Sequence, residues 1–345
     1  MSQRGHMNSL ERMRRRLRAE PADRPPNFDI MMGYATHYIG QPLSAYYRDY
    51  RVLCAANLAM LEPFGLDIVQ TISDPYREAH DLGLKVEFPP DGLLLSKHPL
   101  IAESDDLRKL RPVAPEQGRR MNDRLEAVRY LHDQVRGEVP VMGWVEGPMA
   151  LAADLRGVGN VLVDMYDRPE WLTALLDFCL EIALAFARRQ IELGADIIGL
   201  GDAICSQISP KMYRQFGLPY EQRIFAAVHE MGVLARLHIC GNITRLLPDI
   251  LHSGADIVDV DWMVDFGEAE RVLRGGPAVC GNFDPVAVML QGSPADVKRA
   301  VVECLQAGGP RGFSAAGCEI PDGTPVANLN AQREALGEYQ TTARP

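Results

Sequence analysis

The chain has 345 residues, 47% of them hydrophobic and 24% charged, with a formal net charge of -10. That balance supports a sizeable packed core and excludes disorder as the default state, and the acidic surplus excludes the clustered Lys and Arg surface that a nucleic-acid binder needs. No stretch approaches the roughly 18 to 20 uninterrupted apolar residues of a membrane span, and no apolar signal core follows the N-terminal charges, so a cytoplasmic protein with neither membrane nor nucleic-acid partner is expected.

Seven Cys in an irregular arrangement argue for reduced thiols, some of them metal ligands, against a disulfide scaffold. Residues 1 to 8 read as a loose tail. Ser9 to Pro26 reads as a helix with Ser9 as N-cap, the basic run Arg12 to Arg18 as a solvated face, and Pro21, Pro25 and Pro26 as the stop.

Beyond this N-terminal helical extension, short β-rich runs alternate with helical patterns, the signature of βαβ units on a parallel sheet. Eight strands are expected: Phe28 to Gly33, Leu66 to Ile72, Val139 to Val145, Asp196 to Leu200, Ala235 to Ile239, Asp256 to Val260, Ala278 to Gly281, and Gly312 to Ala315. Helices are expected at Pro169 to Leu193, Pro210 to Met231, Ile243 to Ser253 and Pro294 to Ala307. A repeated Gly-Ala-Asp at 194 to 196 and 254 to 256 suits a tight helix-to-strand turn. The Pro-rich interval Ser73 to Glu138 leaves room for an insertion or an extra strand pair. Eight strands close a (β/α)8 TIM barrel as one domain over 1–345; an open doubly wound sheet is the alternative, and both place the site at the strand C-termini.

The chemistry concentrates in Leu237-His238-Ile239-Cys240-Gly241-Asn242. His238 and Cys240, two apart on a strand, share a face. Gly241 permits a sharp turn, and Asn242 is placed to cap a helix from Ile243 whose N-terminus would favour a thiolate. Cys318 ends another strand after Gly317. One His and two Cys make a three-ligand zinc set with an open fourth position, although the same spacing also fits core-filling side chains. Glu146, Asp202, Asp259, Asp261, Asn282 and Asp284 stud other strand ends; any one of them also fits a helix cap or loop hydrogen bond. Tyr76, Arg77 and Glu78 follow the second strand, with Arg77 either holding an anionic group or forming an ion pair. Cys54, Cys179, Cys205, Cys280 and Cys304 read as incidental thiols.

At His238-Ile239-Cys240-Gly241-Asn242, Gly281-Asn282-Phe283-Asp284-Pro285 and Gly317-Cys318-Glu319-Ile320-Pro321 the chain resembles the uroporphyrinogen decarboxylase superfamily, and within it the zinc-dependent methyltransferase branch. Glu11-Arg12, Asp23-Arg24-Pro25-Pro26, Gly147-Pro148, and Ser209-Pro210 with Tyr213 extend the resemblance over nearly the whole chain.

The resemblance implies a (β/α)8 barrel that moves methyl groups between a corrinoid protein and a small donor or acceptor such as coenzyme M, tetrahydrofolate or a methylated compound. It also implies zinc held by His238, Cys240 and Cys318. The arginine-rich loop of the true decarboxylases has no counterpart after Pro26, which disfavours a substrate with eight carboxylates. Glu146, Asp202 and Asp261 are then candidate substrate-positioning or proton-handling groups, and Asn242, Asn282, Asp284, Tyr76 and Arg77 candidate binding residues. A uroporphyrinogen decarboxylase-type activity and a non-catalytic corrinoid accessory role are the alternatives, with a homodimer left open.

Overall fold

The computed structural model describes residues 7–339, so the first six residues of the expected tail, and 340–345 of the expected 1–345 unit, lie outside the described residues. Seven strands, β1 (Val69–Gln70), β2 (Val141–Glu146), β3 (Ile197–Gly201), β4 (Leu234–His238), β5 (Ile257–Val260), β6 (Ala278–Phe283) and β7 (Phe313–Ala316), form one sheet in sequential order. All neighbours are parallel. A parallel sheet covered on both faces needs strands that are apolar throughout, and β2, β3, β5, β6 and β7 are buried at every position.

The expected first strand, Phe28 to Gly33, shrinks to one parallel bridge between Asn27 and Ser314. Phe28 N–H donates to the Ser314 carbonyl at 2.8 Å and Asp67 N–H to the Asn27 carbonyl at 2.9 Å, so this extended segment lies between β7 and the entry to β1. Met32–Tyr38 is helical instead, with Gly33 N–H donating to Glu319 Oε1 at 2.7 Å. The result is a curled, TIM-barrel-like α/β fold. Inside it, β3 carries Gly199 and Gly201 where a Cβ would come within 2.4 Å and 2.8 Å of Trp144 ring carbons; the indole therefore lies across β3 and fills the barrel interior.

The repeated Gly-Ala-Asp has a physical reason. Gly194 and Gly254 take left-handed φ values of 103° and 91°, closed to most L side chains. Each following Asp then ties adjacent strands: Asp196 Oδ2 accepts from Val141 N–H at 2.9 Å and Asp256 Oδ2 from Ala235 N–H at 2.8 Å.

Several expectations need correction. The N-terminal helix, Ser9–Leu17, is capped by Asn8, whose Oδ1 accepts from Glu11 N–H, while the Ser9 hydroxyl donates to Asp67 Oδ1 at 2.7 Å. Its basic run is solvated only in part: Arg14 and Arg18 are exposed, but Arg12 pairs with Asp67 at 2.6 Å and buried Arg16 donates to the Gly312 carbonyl at 2.7 Å, so the helix plugs the end where the strands begin. The 210 to 231 helix is broken into Pro210–Met212, a wide π turn Tyr213–Gly217, and Leu218–Glu230, because Pro219 has no N–H to continue the ladder. Within Ile243 to Ser253 only Leu247–Ile250 is regular helix. The interval 73 to 138 adds no sheet strand among the described residues; it holds helices Arg77–Asp81 and Arg119–Val135, a 3-10 turn, and one antiparallel bridge between Glu87 and Leu95. Pro169–Glu192 and Pro294–Ala307 form as expected. No helix among the described residues is long and apolar enough to cross a membrane.

Candidate metal centre

His238 ends β4, where the register sets it beside Gly201 on one side and Asp259 on the other. In-register neighbours on parallel strands share a face, so Asp259 Oδ2 meets His238 Nδ1 at 2.8 Å while its Oδ1 accepts from Arg236 Nε at 2.8 Å. With Nδ1 engaged, Nε2 faces Cys240 Sγ at 3.0 Å. Cys240 lies just past the strand; Gly241 turns the chain there with φ 96°, and its N–H donates to Asp261 Oδ2 at 2.8 Å.

Cys318 comes from the far side of the barrel, directly after Gly317, where a Cβ would strike Trp262 N at 2.3 Å. That close approach brings the two sulfurs to 3.9 Å, and the three donor atoms of His238, Cys240 and Cys318 all lie within 4.8 Å of one another. Tetrahedral zinc with bonds to sulfur of about 2.3 Å holds two sulfurs about 3.8 Å apart, so the donor set fits the ion. The carboxylate behind the imidazole is the usual outer partner of a metal-bound His, and three protein donors leave one coordination position for a substrate. Burial opposes protonation of His238, yet Cys240 and Asp259 raise its pKa well above the ordinary value; the Cys318 thiol is pushed down to about 4, chiefly by the hydrogen bond from Cys240.

An acid cluster adjoins this centre. Glu146, at the end of β2, accepts at Oε1 from Trp144 Nε1 at 3.0 Å and from Arg77 at 2.8 Å, and its N–H donates to Glu78 Oε1 at 3.0 Å. Burial, reinforced by Glu78, pushes Glu146 up to about 8 in spite of Arg77. The Trp144 ring sits edge-on to His238 with centroids 6.0 Å apart. Arg77 is fully buried with its guanidinium committed to Glu146 and Glu78, and Tyr76 N–H donates to Asp74 Oδ1 at 3.0 Å. Asp154 is half-buried with its Oδ2 out of solvent contact, and desolvation followed by repulsion from Glu146 raises it well above the carboxylate range.

The other expected residues serve local structure. Asp202 Oδ1 accepts from Ala150 N–H at 2.8 Å in the first turn of helix Pro148–Arg156, and Asp202 gathers with Cys205 and Glu221 in a second buried group. Asp261 clamps Gly241 and Met263 N–H groups. Asn242 is exposed and its Oδ1 accepts from Thr244 N–H at 3.1 Å; the next helix starts only at Leu247, so the expected helix N-terminus beside Cys240 is absent. Asn282 donates to the Asp261 and Val264 carbonyls, and Asp284 caps Pro285–Leu290. Sequence reasoning missed the part played by Asp259, although its place opposite His238 follows once both strands are aligned, and it missed Trp144, which only the facing glycines of β3 explain.

The sequence model of uroporphyrinogen decarboxylase (URO-D) matches residues 8–339. The methylcobamide:CoM methyltransferase MtbA of Methanosarcina mazei is 35% identical over 241 residues, 68% of this chain and 69% of that protein. The MtbA of Methanosarcina acetivorans is 30% identical over 342 residues, 96% and 98% of the two chains. A uroporphyrinogen decarboxylase of Nocardia farcinica is 30% identical over 257 residues, covering 72% and 70%. In fold, a methyltransferase from Methanosarcina mazei superposes with a TM-score of 0.88 at 24% identity over 96% of this chain and 99% of that one. With the strand-end residues, the curled parallel sheet and a match from end to end of the described chain all in agreement, the protein belongs to the uroporphyrinogen decarboxylase family.

Proposed function

We propose that the chain is a zinc-dependent methyltransferase that moves a methyl group between a corrinoid on a partner protein and a small methylated substrate or a thiol or folate acceptor. The observation that carries this reading is the convergence of His238 Nε2 and the Cys240 and Cys318 sulfurs at the strand ends. The activity for which the MtbA relatives are named supports it. The 26–29 segment between β7 and β1 supports an eighth stave and hence a closed (β/α)8 barrel extended by the N-terminal helix, and one continuous sheet supports a single domain. We place the protein in the cytoplasm, as a monomer or homodimer.

Bound zinc would supply Lewis-acid activation, lowering the pKa of a thiol or polarising the heteroatom that parts from the methyl. The chain does the rest. Asp259 fixes the imidazole so that Nε2 points inward. Glu146, neutral near pH 7 with its pKa of about 8, is the group placed to give or take a proton at its carboxyl, with Arg77 and Trp144 holding it. Asp261 positions the Cys240 turn, and Asp202 ties the mouth to helix Pro148–Arg156. Asn242, Asn282, Asp284 and Tyr76 shape the surrounding loops, and Trp262 and Met263, 47% and 50% exposed after Asp261, offer an apolar rim for the corrinoid partner.

A decarboxylase acting on a polycarboxylate would need free guanidiniums at the strand ends. Arg77 and Arg236, the arginines that pack against the metal centre, are each bound to carboxylates, which favours methyl transfer. The test is metal analysis with a spectral assay. About one zinc per chain is expected, lost in both Cys240→Ser and Cys318→Ser, with methylcobalamin demethylated by wild type in the presence of a thiol. Wild-type protein without zinc, or zinc retained in both variants, overturns the reading; corrinoid bound without transfer would instead mark an accessory protein.

A further inference from the structure

Away from the strand-end centre, a hollow of about 250 Å³ is lined by Arg48, His80, Phe88, Arg119 and Arg120. Four of these five residues are basic, in a chain where 46 acids outnumber 36 Lys and Arg. A second hollow of about 320 Å³ shares Arg48 and Arg119 and adds Ser44, Ala45 and Asp49.

Phe88 organises the site. The Arg48 and Arg120 guanidiniums lie 5.4 Å and 5.1 Å from its ring centroid, and His80 packs edge-on at 6.0 Å. A guanidinium on an aromatic face is oriented while its N–H edge stays available. Arg120 is buried and neutralised by Asp74, and its Nη1, enclosed out of solvent contact at the floor of the hollow, has no hydrogen-bond partner. Arg48 and Arg119 are exposed and have no carboxylate partner among the described residues. The one acid on the rim, Asp49, is engaged by Arg51 through the backbone N–H at 2.9 Å and the guanidinium at 3.5 Å.

Two uncompensated guanidiniums facing one small hollow repel each other unless an anion lies between them. A guanidinium fork matches phosphate and carboxylate oxygens two at a time. We infer that this hollow is an oxyanion-binding pocket, separate from the metal centre, that takes the phosphate or carboxylate group of a small ligand on Arg48, Arg119 and the free edge of Arg120. The inference stands independently of the methyl-transfer reading. Asp74 links Arg120 to Arg77 and so to Glu146, which sets the pocket beside the barrel mouth.

Isothermal titration of the full chain in low-salt, phosphate-free buffer, with inorganic phosphate and malonate as separate probes, tests this. Saturable one-site binding of at least one probe is expected, weakened at least about tenfold in each of Arg48→Ala and Arg119→Ala and unchanged in Arg271→Ala, which alters a 66% exposed arginine outside the pocket. Arg119→Lys, which keeps the charge and loses the fork, should fall between, and it serves if an alanine variant misfolds. Preference for phosphate assigns a phosphorylated ligand, and preference for malonate a carboxylated one. No saturable binding of either probe, or binding by the Arg48→Ala/Arg119→Ala double variant equal to wild type, overturns the proposal.

Discussion

The two ends of the barrel use the same residue types to opposite effect. Where the strands begin, Asp67 is complete: Oδ1 receives Arg12, Ser9 and Arg24 at 2.6 Å, 2.7 Å and 3.0 Å, and Oδ2 receives Arg24 and the Asn27 N–H at 2.6 Å and 2.8 Å. Where the strands end, Glu78 Oε2, Arg77 Nε, Asp154 Oδ2, Asp202 Oδ2 and Glu221 Oε1 are buried without a hydrogen-bond partner. Buried polar atoms are normally satisfied, and although Gln332 Oε1 beside Asn27 is also unpartnered, the ionisable groups left unfinished cluster where the strands end, which suits chemistry, while Asp67 suits stability.

The sharpest way to break the contrast is Asp67→Ala. Arg12 keeps Asp23, but Arg24 and the buried Asn27 N–H lose their acceptor, which should cost about 3 kcal/mol in a denaturant titration, with zinc content unchanged; a loss below about 1 kcal/mol would mean the plug is ornamental. At the opposite end Asp259→Asn should act on the metal, weakening zinc about tenfold to a hundredfold in a chelator competition. Zinc affinity equal to wild type would show that Asp259 does not orient His238.

Gly201→Ala tests packing under the centre. Its Cβ would lie 2.8 Å from Trp144 Cζ2, and overpacking should cost about 1 to 3 kcal/mol, read as a lower melting temperature; a neutral result would show that the indole has room to move.

The smallest effect separates the ends by pH. Burial raises Glu146 and Glu221 to about 8 and Asp202 to about 7, so the folded protein holds protons that the unfolded chain releases above about pH 4.5. These groups make stability fall as pH rises from about 5 to 8. At the plug, Asp23 is opposed by burial but lowered overall by Arg12, so its contribution is present at neutral pH and is lost only as pH falls below about 4. Glu221→Gln should flatten the slope between pH 5 and 8, and an unchanged slope would place the titrating groups elsewhere.

Much of this was legible in the chain. Seven of the eight expected strands were, because parallel strands are apolar throughout, and so was the meeting of His238, Cys240 and Cys318 at the strand ends, because their motifs are specific. The plug was not, since a run of arginines looks the same whether it faces water or Asp67, 55 residues away from Arg12. The π turn at Tyr213–Gly217 was hidden because Pro219 signals a helix start as readily as a defect. Asn242, Asn282 and Asp284 were visible as strand-end polar groups, but that their side chains hold backbone depends on the folded loops. The arginine pocket draws on Arg48, His80, Phe88 and Arg119, which share no local pattern.

The placement of Trp144 gives the protein a built-in optical sensor. Its indole is 3% exposed and borders the ring of His238, whereas Trp171 is only half-buried and Trp262 is 47% exposed. The bluest emission therefore comes chiefly from the imidazole's neighbour, and titrating the apo protein with zinc should change it in wild type and not in Trp144→Phe.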